Sequence, residues 1–295
     1  MDIFKGLEDI IETDAPLGRL TTLGVGGPCR YLARPRSEDQ LRDVLARCEK
    51  HGLPSRVMGR GSNLLVRDEG VPGVVIQIAA RGFGDTDVEE DLLRVGAGVP
   101  LPKVVQEAAR HGLSGVECLV GIPGTVGGAV RMNAGGAFGD IGQTVERVKV
   151  MDTRGQAYFR EREDLVFGYR TSNIAARFIL GADLRLQADS EKAILARVRK
   201  IWIARRNTQP TGAPSAGCVF KNPRGLSAGA LIDQAGLKGK AVGGAMVSRK
   251  HANYIVVKDR DKATAADVLA LIDEVRKVVK ERFDVDLELE INVWP

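Results

Sequence analysis

The residues best able to do chemistry in this 295-residue chain are one cysteine, one arginine, a run of carboxylates and three glycine-rich loops. Cys218 lies in PSAGCVFKNP (214–223), after Ala-Gly in a turn and before a short strand that leads to Lys221 and Asn222. A thiol in such a turn can be tuned by its neighbours and can act as a nucleophile or a proton donor. The residues balance this against a small buried hydrophobe, where most free Cys end up. Arg170, in FGYRTS (167–172), follows Tyr169 at a strand end, which suits a carboxylate or phosphate clamp. The plainer alternative is a solvated surface Arg. Near the C-terminus, Asp286, Glu288 and Glu290 alternate with apolar residues and share one strand face by period two. That pattern reads first as a solvated edge strand, with one acid able to turn into a site.

GRGSN (59–63), PGTVGGA (123–129) and MNAGGAFG (132–139) offer runs of backbone N–H groups that can cradle phosphate oxygens. Glycine permits the close approach and the positive φ that such cradles need. Each loop alone is more simply a tight turn; together they point to a phosphate-bearing ligand, and two cradles suit a pyrophosphate. The P-loop signature is absent, and no G-x-G carries the third Gly of the dinucleotide fingerprint.

Composition narrows the classes further. Hydrophobic residues are 44% and charged residues 27%, with a net charge of +5, which is ordinary globular composition and excludes wholesale disorder. No Lys/Arg run resembles a nucleic-acid arm, and no apolar run is long enough to span a membrane. The start, MDIFKGLEDIIETD, lacks the pattern of a signal peptide. Cys29, Cys48, Cys118 and Cys218 show no zinc spacing, and His51, His111 and His251 form no metal motif. Reduced thiols, no metal and a cytoplasmic protein are expected.

The elements that must position these residues follow from periodicity. SEDQLRDVLARCEKH (37–51) predicts a helix, with Ser37 and Gln40 as a capping box and Leu41, Val44, Leu45 and Cys48 on one face. Strands at 55–58 and 74–78 make a β-α-β beginning. A helix follows at 101–111, then ten glycines in the 31 residues from Gly112 to Gly142, read as folded loops close to a ligand. Residues 145–186 are strand-rich, and 189–206 predict a helix ended by the Pro/Gly break TQPTGAPSAG. Beyond it come a short helix near SAGALIDQ, a strand at 254–257, a long helix at 264–282 and a closing strand LELEINVW.

In their order, TTLGVGGPCRYLARP, GRGSNLLVRD, GIPGTVGGAVRMNAG, GYRTS, QPTGAPSAGCVFKNP, AGLKGKAVGGAMVSRKHANYIV and LELEINVW resemble the UDP-N-acetylenolpyruvoylglucosamine reductase (MurB) family, from about residue 18 to the end. The direct run from GYRTS onward is similar to the shorter, type II branch. The resemblance implies an α+β fold. A PCMH-type FAD-binding domain of two α/β subdomains would cover 24–189, with 1–23 packing on it, 190–205 as a connecting helix, and 206–295 as a smaller α/β substrate-binding domain. It implies noncovalent FAD, NADPH as co-substrate, the enolpyruvyl ether of UDP-N-acetylglucosamine as substrate, a monomer, and a cytoplasmic place in peptidoglycan precursor synthesis.

By motif position, the resemblance assigns Arg170 to stabilising the enolate, Cys218 to donating the proton after hydride leaves flavin N5, and Glu290 to assisting that delivery. Cofactor contacts would come from Gly59, Arg60, Gly61, Ser62, Asn63 and Leu64, from Ile122, Pro123, Gly124, Thr125, Gly127 and Gly128, and from Asn133 and Gly135. Tyr169, Lys221 and Asn222 would touch substrate. The chain departs from the family at three points, one of them LELEI, which replaces a more usual Pro- or Arg-containing version of the last strand. Cys218 stands where Ser is frequent, a stronger acid with a reference pKa of about 8.5. Thr208 stands where Lys is frequent, which leaves a substrate phosphate contact to Arg205 or Arg206. Two other readings share the loops: a different PCMH-fold flavin oxidoreductase, and a nonenzymatic UDP-sugar or flavin binder. The three chemically competent residues argue against the second.

Overall fold

The structure is a computed structural model that describes residues 3–295. The described chain folds into two compact bodies that interleave along the sequence. The first takes the residues up to Thr13, Tyr31–Arg60 and Gly73–Arg205; the second takes Asp14–Arg30, Gly61–Pro72 and Arg206–Pro295. Residues 14–30 and 61–72 therefore pack with the C-terminal part, although sequence order alone places them with the N-terminal part. The GRGSN loop is itself divided, between Arg60 and Gly61.

In the first body an antiparallel sheet has the strand order Ala157–Glu161, Val145–Met151, Phe178–Arg185, Leu92–Gly96, Thr86–Glu89. Ser55–Met58 pairs in parallel with Val71–Gln77, and the helix Glu38–Lys50 connects Cys29–Ala33 to Ser55–Met58, on either side of Val71–Gln77 in that sheet. That helix buries Leu41, Val44, Leu45 and Cys48, the stripe its period predicts. Its start differs from a reciprocal capping box. Ser37 accepts from the Gln40 N–H, but the Gln40 side chain reaches one residue further back, to the Arg36 N–H at 2.8 Å. Val95, Val104, Val148 and Phe178 lie in the core of this body.

The glycine-dense stretch contains a helix that its sequence hides, Val126–Met132. Two glycines lower its intrinsic propensity, and burial of Val126, Ala129 and Val130 supplies the stability instead. The helix at 189–206 is observed as Glu191–Thr208.

In the second body a sheet ordered Ser215–Cys218, Tyr254–Val257, Ala245–Val247, Ala241–Val242 packs against the helices Ala228–Gln234 and Ala265–Phe283 through Ile255, Val247, Ile232, Leu271 and Val275. The long helix starts with a full capping box, Thr264 with Asp267, and the Asp68 carboxylate accepts from the Ala265 and Ala266 N–H groups as well. The closing segment is not one strand. Leu289 bridges to Phe220, and only Asn292–Trp294 forms a strand, parallel to Leu64–Val66. The chain changes partner midway, which breaks the continuous strand that its alternation predicts. Among the described residues no helix is long and apolar enough to cross a membrane.

Candidate active site

Two of the three glycine loops meet within the first body. A Cβ added at Gly59 would lie 2.4 Å from Thr125 Oγ1, so the two loops are in direct contact there. Gly59 C=O also accepts from Gln77 Nε2 at 3.2 Å. Gly124 has a positive φ of 141°, while a Cβ at exposed Gly128 would meet nothing within 4 Å. One side of this loop is thus closed by protein and the other is open. Pro123 is exposed, Ile122 and Gly127 are half-buried, and Thr125 is buried.

Beneath it, a carboxylate holds the loop's approach. Glu117, 7% exposed, accepts from Ser114 Oγ (3.0 Å), the Gly115 N–H (2.7 Å) and Arg197 Nε (2.9 Å). Burial pushes its carboxyl pKa up, but the backbone N–H groups, Arg197 and Ser114 outweigh that and leave it below the usual value. Nothing in the sequence marks Glu117, because its partner Arg197 lies 80 residues away.

Asn133 is 5% exposed and left-handed, with φ 44°. Its Oδ1 accepts from the Gly142 N–H and its Nδ2 donates to the Gly168 C=O, both at 3.0 Å. The side chain predicted to lie along a cofactor is therefore engaged in holding the hairpin that carries Arg170. That hairpin pairs Phe167–Gly168 with Thr171–Ser172 and turns at Tyr169 and Arg170. Arg170 adopts φ 57°, a strained conformation for a non-glycine residue, of the kind that concentrates at functional sites. Its Nη1 donates to the Gly135 C=O at 3.3 Å, and its guanidinium lies 5.3 Å from the ring centre of Tyr169, which is 53% exposed. Gly135 is required by packing, since a Cβ there would meet Gly139 O at 2.3 Å.

The rest of the predicted set, Arg60 excepted, lies in the second body. The carbonyls of Gly61 and Ser62 both face Thr22: Gly61 C=O accepts its N–H at 3.2 Å and Ser62 C=O its hydroxyl at 3.4 Å. A trans peptide points its N–H opposite to its C=O. The Ser62 and Asn63 N–H groups are therefore aimed away from Thr22, and Gly61 has φ 64°. This is the form of an anion nest. Thr22 thus holds the loop in place, and nothing in the sequence marks it. Leu64 is buried and begins a strand, so it supports the loop from below. Arg60, on the first-body side of the division, is exposed.

Cys218 ends the strand Ser215–Cys218 instead of preceding one, and it is half-buried. The ladder is irregular between Ser215 and Cys218, where Gly217 has φ 82°, and pairing resumes with Cys218 opposite Tyr254. The other cysteines are buried, and burial pushes the Cys48 and Cys118 thiols up to about 11, which disfavours their thiolate forms. The following segment is fixed by Asn253, 3% exposed, whose side chain accepts from the Phe220 N–H and donates to its C=O. Next to it runs Glu290: its N–H donates to the Val219 C=O at 2.8 Å, and its C=O accepts from Asn63 Nδ2 at 3.1 Å. The structure thus brings Cys218, Glu290 and Asn63 onto adjoining backbone.

The neighbouring acids differ from Glu290. Glu288 is exposed and paired with Lys221, and Asp286 with Lys280, so both follow the solvated reading. Lys221 is half-buried within that pair, and Asn222 Oδ1 accepts from the Ala228 N–H, beside the start of a helix. Arg205, one of two substitutes for the Lys absent at Thr208, is 8% exposed and donates to the Cys118 C=O at 2.8 Å in the first body. Arg206 is exposed. Among the described residues no cluster of three or more His, Cys, Asp or Glu is placed to hold a metal ion.

Comparison with known proteins gives these features a class. Residues 29–158 match a profile described as an FAD binding domain, and residues 209–294 match the C-terminal domain of UDP-N-acetylenolpyruvoylglucosamine reductase. With the mixed helices and strands described above, these matches make the chain an FAD-binding flavoprotein of α+β fold. The UDP-N-acetylenolpyruvoylglucosamine reductase of Moorella thermoacetica is 45% identical, with 99% of this chain and 96% of the relative covered; that of Desulfosudis oleivorans is 44% identical, with 97% and 95% covered. The crystal structure of the Thermus caldophilus reductase (MurB) matches with a TM-score of 0.79 and 43% identity, over 97% of this chain and 98% of that one. The chain belongs to the UDP-N-acetylenolpyruvoylglucosamine reductase family.

Proposed function

We propose that the chain reduces the enolpyruvyl ether of UDP-N-acetylglucosamine to UDP-N-acetylmuramate, a peptidoglycan precursor, using NADPH and noncovalently bound FAD. The observation that supports the chemistry best is the hydrogen bond from the Glu290 N–H to the Val219 C=O, which runs the backbone of the acid alongside the residue that follows Cys218. Bound FAD, reducible by NADPH, would supply hydride chemistry toward the vinyl group.

The protein's own residues handle charge and proton. Arg170 binds the substrate carboxylate as a fork and stabilises the charge that builds there as the enolate forms. The Cys218 S–H gives its proton to the carbon bearing the ether oxygen. The C=C bond is consumed, a C–H bond forms, and the thiolate left behind recovers a proton from solvent by way of Glu290. By the family resemblance, Gly59, Gly61, Ser62, Asn63, Gly124, Thr125, Gly127 and Gly128 would be among the residues that hold the cofactor. Tyr169, Lys221 and Asn222 contact substrate, and Arg206 takes the phosphate contact absent at Thr208.

In this reading residues 24–189 serve FAD and 206–295 serve substrate, although 14–30 and 61–72 belong to the same compact body as the latter. One chain is the active unit, and it works in the cytoplasm; the four free thiols suit that reducing compartment. The test is NADPH oxidation that depends on the enolpyruvyl UDP-sugar, with the product gaining two hydrogens by mass. NADPH oxidation that is indifferent to the sugar would contradict it.

A further inference from the structure

Asn63 is tied to the Glu290 segment at three successive points. Its Nδ2 donates to the Glu290 C=O at 3.1 Å, its C=O accepts from the Asn292 N–H at 3.0 Å, and the next residues, Leu64–Val66, run parallel to Asn292–Trp294 in register. From its other side Glu290 is held by the residue after Cys218. The peptide of Glu290 is thus clamped between the nest loop and the thiol strand. The nest is anchored independently, because Thr22 holds the Gly61 and Ser62 carbonyls. An anion drawn to the Ser62 and Asn63 N–H groups therefore acts on the same residue whose side chain holds Glu290.

We infer that Asn63 is a positioning residue for proton delivery: it sets Glu290 beside Cys218, and it passes occupancy of the Gly61–Asn63 nest on to that pair. The inference rests on the reading above in which Cys218 and Glu290 deliver the proton. The residue type follows from the geometry. A short amide donates to a carbonyl, whereas Asp would set an oxygen against the Glu290 C=O and Ala would leave that carbonyl without this donor.

The test combines exchange with a mutant cycle on the full chain. FAD added to FAD-stripped protein is expected to slow amide exchange across residues 288–292 by about tenfold or more, with the helix Ala265–Phe283 unaffected. No change at 288–292 would overturn the coupling, and this needs no variant, so it decides the matter even if Asn63→Ala binds FAD poorly. At saturating FAD, Asn63→Ala is expected to slow flavin reoxidation by the enolpyruvyl sugar about tenfold more than flavin reduction by NADPH. In a Glu290→Gln background the same change is expected to add nothing. Losses that multiply would overturn the inference while leaving Glu290 in its role. A Glu290→Gln variant that reoxidises at the wild-type rate would instead overturn the reading beneath, and the inference with it.

Discussion

Gly59→Ala tests the contact between the two glycine loops. Gly59 has no positive φ, so alanine meets no backbone penalty there, and the effect is steric alone. The new Cβ would lie 2.4 Å from Thr125 Oγ1, and Cβ contacts under 3.0 Å do not occur, so one loop must give by at least about 0.6 Å. The next nearest atoms, Thr125 Cβ and Cγ2, lie at ordinary contact distances of 3.6 and 3.7 Å, so the clash is with one hydroxyl. Overpacking of this kind costs about 1–3 kcal/mol. If that cost falls on the cofactor-bound arrangement, FAD affinity drops about 5- to 150-fold. Titration of FAD-stripped protein with FAD, followed by flavin fluorescence, measures it. In a Thr125→Ala background the hydroxyl is gone, and Gly59→Ala is expected to cost less than about threefold. Wild-type affinity in the single variant, or an undiminished penalty in the double variant, would refute the argument that these loops jointly form the cradle.

Three further outcomes are expected. Cys218→Ala slows flavin reoxidation by the sugar substrate about 10²–10⁴-fold, the range for a lost general acid, while Cys218→Ser recovers part of it; stopped-flow absorbance separates this from reduction by NADPH. Arg170→Lys lowers kcat/KM about 100-fold, because a point charge replaces a fork that also donates to Gly135; steady-state kinetics at varied sugar would show no change if the residue is a bystander. Glu117 has its carboxyl pKa below 4.5, so the stability it contributes is present above the unfolded value and is lost as pH falls through the lower folded one. Glu117→Gln should therefore flatten the acid side of the stability-against-pH curve below about pH 4.5, and a thermal-melt series that keeps the wild-type slope there would exclude the clamp.

Periodicity and capping made the helix Glu38–Lys50 legible, as they did Ala265–Phe283, where Thr264 and Asp267 announce the start. These signals are local, and local propensity and tertiary packing agree there. The helix Val126–Met132 was hidden because its glycines speak against it and only burial supports it. The division of GRGSN between two bodies was also hidden, since nothing in five residues reports what each half packs against. At the candidate site, motif order pointed to Arg170, Cys218 and Glu290. What holds them did not show. Asn133 bridges to Gly168, 35 residues on, and Asn63 to Glu290, 227 residues on. A hydrogen bond between distant residues leaves no spacing pattern in a single sequence. The exposed acids Asp286 and Glu288 match the alternation as well as Glu290 does, and only the partner change at Leu289 sets Glu290 apart.

The central claim is that this chain passes reducing equivalents from NADPH through FAD to an enolpyruvyl UDP-sugar. Its most direct test is the visible spectrum of the purified protein, recorded without oxygen, after NADPH and then after the sugar. Flavin bands that bleach with NADPH and return on adding UDP-N-acetylenolpyruvoylglucosamine are the predicted result. Bands that return only when oxygen is admitted, or a colourless protein that takes up no added FAD, would contradict it.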